Sequence, residues 1–91
     1  LYHAWTSMAG NFSSFLIMEY VKKIKGMNLP ASLAKPYLTQ VLKNSLQSHS
    51  ALTGPIARGD NQTIQKHLDV LGENFKPLYQ SFVQLIREKA S

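Results

Sequence analysis

The sequence predicts an all-α fold, on three observations. Apolar residues recur at three- and four-residue spacing along most of the chain. No run alternates apolar and polar residues as a half-buried strand would. Glycine and proline interrupt the pattern only at a few separated points. Four segments carry the helical period, so the expected architecture is a four-helix domain with an ordered loop between helices two and three.

The first segment runs from about Ala4 to Lys25, with Gly26 as its expected stop. At about 100° per residue, Trp5, Ala9, Phe12 and Leu16 share a narrow arc flanked by Met8 and Phe15, an ordinary core face. The other side begins small and polar, with His3, Ser7, Gly10, Asn11 and Ser14, and continues as Ile17, Met18, Val21 and Ile24. A helix that is apolar nearly all round is buried on more than one side. Three shorter helices are too few to cover it, so burial against a second copy or another domain is expected.

The second segment covers roughly Ala31 to Leu46, with Leu33, Tyr37 and Val41, and Leu38, Leu42 and Leu46, spaced by four. Pro36 inside it implies a kink or a one-turn start before the main helix. The third spans about Asn61 to Leu71, with Ile64, Leu68 and Leu71 on one face and Gly72 as its stop. The fourth starts near Pro77, which suits a first helical position, and carries Leu78, Phe82, Leu85 and Ile86.

Composition narrows the function classes. A chain of 91 residues makes one small domain at most. It has no cysteine, and its three histidines, His3, His49 and His67, lack metal-ligand spacing, so no metal site is expected. No secretory leader is visible and no stretch of about 20 apolar residues could span a membrane; a cytoplasmic location follows as the expectation. The net charge of +5 invites a nucleic-acid reading. However, only Lys22, Lys23 and Lys25 cluster, they suit the negative end of a helix dipole, and no aromatic residues interleave with them. Nucleic acid is therefore not the expected partner. The chain opens at Leu1 rather than at methionine, which suggests a piece of a longer protein.

The run from Ala51 to Asp60, Ala-Leu-Thr-Gly-Pro-Ile-Ala-Arg-Gly-Asp, carries no helical or strand period. Thr-Gly-Pro stops a helix because glycine accepts unusual backbone angles and proline lacks an amide proton. Asp60 is placed to cap the amides of the helix that follows. A stiff loop of this kind is either a plain connector or a place to present polar backbone and an arginine to a ligand. Arg58-Gly59-Asp60 also spells the tripeptide read by integrin receptors, a coincidence in a chain without secretory features. His3, Ser7 and Asn11, spaced i, i+4, i+8, form a small polar line on the first helix. No complete catalytic constellation is present: there are no paired carboxylates, no nucleophilic cysteine and no phosphate-cradling glycine loop. Any catalytic role lies in a composite site.

These residues carry a resemblance. Tyr2-His3-Ala4 with Asn11, the run Ala51 to Asp60, then Thr63, His67-Leu68 and Tyr79, closely resemble a helical domain of unknown function. That domain follows a Rossmann-like domain in a group of NADP-dependent oxidoreductases. The group is similar to pyrroline-5-carboxylate reductase and, more distantly, to the 6-phosphogluconate and hydroxyacid dehydrogenases. The resemblance implies a 6-phosphogluconate dehydrogenase C-terminal-domain-like fold over residues 1–91, acting as a homodimerisation and substrate-cleft domain. The upstream Rossmann domain would hold NADP, or NAD, none being held by this chain alone. Hydride transfer would act on a small molecule with a C=O or C=N bond. His3 and Asn11 would orient the substrate, Thr53, Gly54, Pro55 and Arg58 would form the substrate loop, and Asp60 keeps its capping role. The alternative is a non-catalytic helical module that receives a partner helix.

Overall fold

A computed structural model describes residues 1–47 and 55–90. Every regular element among them is helical. The chain divides into two compact units, Leu1–Ser48 and His49–Ser91.

The first unit is a helical hairpin. Its leading arm is one long rod in three pieces: α1 (Tyr2–Thr6), a π turn (Ser7–Asn11) and α2 (Phe12–Gly26). Thr6, Ser7, Asn11 and Phe12 all keep right-handed helical angles, so the rod is continuous through the π turn. Its stop is not Gly26. Asn28 adopts a φ of 61°, the amide of Leu29 donates to the carbonyl of Ile24 at 3.0 Å, and that of Asn28 to Lys25 at 3.0 Å. This paired closure needs one left-handed residue just past the helix, and asparagine tolerates that conformation better than any other side-chain-bearing residue.

Pro30 is extended, a 3-10 turn follows at Ala31–Leu33, and α3 (Ala34–Gln47) continues from it. Pro36 thus falls in the first turn of α3, where its missing amide proton has no intrahelical partner to lose. The hairpin closes on Ile24 and Ala34, both buried. Next to them Tyr20 and Tyr37 meet edge to face, centroids 6.4 Å apart. Trp5, Phe12 and Leu16, expected in a core face, are exposed instead, Trp5 at 65%. Phe15, Ile17 and Met18 are exposed as well. The long helix is therefore not multiply buried: among its described residues Ile24 alone is buried.

The second unit holds α4 (Pro55–Arg58), α5 (Asn61–Val70) and α6 (Lys76–Ala90). The expected irregular loop is a helical turn over Pro55–Arg58, so a fifth helical rod joins the four expected. Proline at the first position presets φ for it. Leu71 ends α5 with an extended ψ of 143°. The Gly72 carbonyl accepts from Phe75 and Lys76, which starts α6 one residue ahead of Pro77. Antiparallel α5 and α6 both pack on α4, and Ile64 of α5 and Val83 of α6 are buried. Among the described residues, the two hairpins bury only Ile24, Ala34, Ile64 and Val83 as apolar core. No described helix is long and apolar enough to cross a membrane.

Candidate functional site

His3 lies in α1 and Asn11 closes the π turn. In an uninterrupted α-helix, eight residues would rotate Asn11 about 80° away from His3. A π turn spaces its hydrogen bonds by five residues and so accommodates one extra residue, removing about 100° of rotation. The Phe12 amide, donating to the Ser7 carbonyl, makes that wider step. Asn11 thereby comes within about 20° of His3, and Ser7 lies about 40° to the other side of His3.

The same offset moves the apolar residues. Trp5 aligns with Ile17 and Ile24 rather than with Phe12 and Leu16, so the single arc expected for Trp5, Ala9, Phe12 and Leu16 is split by the turn. Ile24 is buried, whereas His3 and Asn11, roughly opposite, are exposed. The His3 ring meets Tyr2 edge to face at 5.7 Å. Gly10 stands inside the turn with open space where a Cβ would project.

The second unit builds its own polar junction where α4 meets α5. Gly59 has a φ of 69°; its amide donates to Ile56 at 3.2 Å, and the amide of Asp60 reaches back to Pro55 at 2.8 Å. Asp60 then caps α5: its carboxylate accepts from the Thr63 amide at 3.2 Å and from the Thr63 hydroxyl at 2.7 Å. These bonds, the hydroxyl first, hold the Asp60 carboxyl below its usual range, with a smaller contribution from the nearby Arg58. The integrin-like tripeptide is thus committed to folding: its glycine terminates one helix and its aspartate starts the next. The Arg58 guanidinium touches Asp60 only at 3.9 Å and its side chain is 62% exposed. So loose an exposed pair contributes little.

Two hydrogen bonds tie α5 to α6. Arg87 donates to the Asn61 side-chain oxygen near one end of the pair. His67 Nδ1 and Tyr79 Oη lie 2.9 Å apart near the other, the rings edge to face at 5.9 Å. Between them an open groove runs over Ile64, Leu68 and Val83, edged by Gln65, Gln80 and Gln84. Sequence reasoning singled out His67 and Tyr79 separately. Only the turn at residues 71–75 folds them onto each other.

The first unit therefore brings His3 and Asn11 to one side of one helix, and the second holds Pro55 and Arg58 in a single turn. Thr53 and Gly54 lie outside the described residues. Among the described residues, no group of three His, Cys, Asp or Glu is arranged to hold a metal ion. Comparison with known proteins gives one match: a family described as a domain of unknown function, DUF2520, over residues 1–86. No curated protein and no solved structure matches the chain.

Proposed function

The chain belongs to the DUF2520 family, and from that premise we propose that it is the C-terminal dimerisation and substrate-cleft domain of an NADP-dependent oxidoreductase. The exposed apolar belt of α1 and α2 carries this reading. Trp5, Met8, Phe12, Leu16 and Met18 all face solvent in the isolated chain, Met18 at 70%. These residues leave several sides of the helix apolar and uncovered, and exposed apolar surface on that scale marks an interface. A second copy and an upstream domain are the bodies proposed to cover it.

The chemistry rests on the signature run from Ala51 to Asp60 and on the polar line of the first helix. Nicotinamide bound by the upstream domain would supply or accept hydride. This chain's residues bind and orient the substrate. Asn11 offers amide hydrogens to a C=O or C=N group, His3 extends the same polar line, and Arg58 pairs with a substrate carboxylate through two parallel N–H donors. Cover of the first helix by the second copy and the upstream domain would exclude water and strengthen those contacts.

Binding, sedimentation and turnover measurements on the longer protein containing this chain test the proposal. NADPH fluorescence titration is expected to show cofactor binding, and sedimentation is expected to show a dimer. Among small carbonyl and imine acids, at least one is expected to oxidise bound NADPH. Arg58→Ala is expected to raise KM, and Asn11→Ala to lower kcat. A monomer that binds no nicotinamide cofactor but captures an amphipathic helical peptide would instead establish the non-catalytic interaction module.

A further inference from the structure

The π turn is the one departure from regular helix in the long rod, and it falls inside the polar segment. A sequence of 25 residues without proline has no steric need for one. Its geometric effect is specific. It absorbs one residue between His3 and Asn11, bringing them from about 80° apart to within about 20°. It also carries Trp5 onto the line of Ile17 and Ile24, a line whose far end is buried at Ile24. A regular α-helix would lose both alignments together, leaving Trp5 about 100° from Ile24 and the two polar residues on different faces.

We propose that the π turn at Ser7–Asn11 is a positioning element of the substrate cleft: it sets His3 and Asn11 on one line, opposite the apolar line through Trp5, Ile17 and Ile24. This inference rests on the function proposed above. Gly10 serves the same end, because the wall of the turn beside Asn11 is left open to a ligand. The turn acts through Asn11 and His3 and touches no reacting atom itself. A misplacement of one polar group by a single helical step is of the size that lowers turnover about 10²-fold.

The test has a geometric arm and a kinetic arm, both on the full-length protein. For the first, Ser7→His with Phe12→His places two imidazoles five residues apart, in a His3→Ala background that removes the native ring's own pairing with position 7. Across a π turn these rings face one way; in a regular helix they would diverge by about 140°. Ni²⁺ is expected to bind this variant at least about tenfold more tightly than the control Ser14→His with Glu19→His, which has the same spacing in regular α2. Equal binding overturns the proposal whatever the enzyme does.

For the second arm, deleting Gly10 removes the extra residue and restores a regular helix. Turnover is expected to fall about 10²-fold with NADPH affinity unchanged. Unchanged turnover in a protein that does reduce substrate overturns the positioning role and leaves the proposed function standing. No nicotinamide-dependent turnover from the unaltered protein overturns both. The Ni²⁺ comparison needs no deletion, so it decides the matter even where the deleted chain fails to fold.

Discussion

Asp60 has two structural assignments that act on different helices. Its amide closes α4 and its carboxylate opens α5. Asp60→Asn keeps an acceptor for the Thr63 amide, so only a small fall in Tm is expected, whereas Asp60→Ala is expected to lower Tm clearly and to fray the first turn of α5. The pH dependence has a definite sign. Because Thr63 favours the ionised form in the folded chain, the unfolded chain binds the proton more readily. The cap's contribution is complete above the ordinary carboxylate value of 3.8 and is lost as pH falls through the lower folded value. Melting curves of the native chain and Asp60→Asn should therefore converge as pH drops below that value. Gly59 has a different constraint. A Cβ there would meet open space, but its φ of 69° disfavours any side chain. Gly59→Ala is expected to cost about 1 kcal/mol in denaturant melts.

At the scale of elements, both hairpins are held by few contacts, so each should be sensitive. Ile64→Ala opens a cavity at a buried position, and a loss of about 3 kcal/mol is expected, enough to unfold much of a marginal second unit at room temperature. Tyr79→Phe removes only the hydroxyl facing His67 and is expected to cost about 1 kcal/mol. A double-mutant cycle with His67→Phe should show that the two losses are not additive. Which elements the sequence disclosed follows from what its periodicity assumes. The four-residue spacing of Leu38, Leu42 and Leu46 and of Ile64 and Leu68 reads correctly because α3 and α5 rotate uniformly. The long helix does not, so a wheel of constant step assigned Trp5 to the wrong neighbours. Gly26 carries the sequence signal for a helix stop, yet its freedom is unused: the left-handed position falls two residues later, on Asn28. The pairing of His67 with Tyr79 depends on the fold of residues 71–75, which no helical period encodes.

For the molecule as a whole, the decisive quantity is apolar surface without a cover. A chain this short hides a modest fraction of its unfolded surface even when well packed, and here the described core amounts to one small cluster per hairpin. Charged replacements on the exposed belt, such as Phe12→Glu or Met18→Glu, are expected to leave helix content nearly unchanged by circular dichroism. In sedimentation they should shift the dimer proposed above toward monomer, and such variants should then melt at lower temperature, since association with a partner copy adds to stability. The junction at Asp60 bears on how the guanidinium of Arg58 can behave. No spare residue lies between the end of α4 and the start of α5, so the arginine is bolted to the axis of α5 rather than tethered by slack chain. Lengthening the segment from Pro55 to Thr63 by a single residue would break two hydrogen-bonded closures at once and swing the cation off its bearing. Anything negatively charged that this cation grips is held from a rigid rod, and its placement can be inherited only as a block.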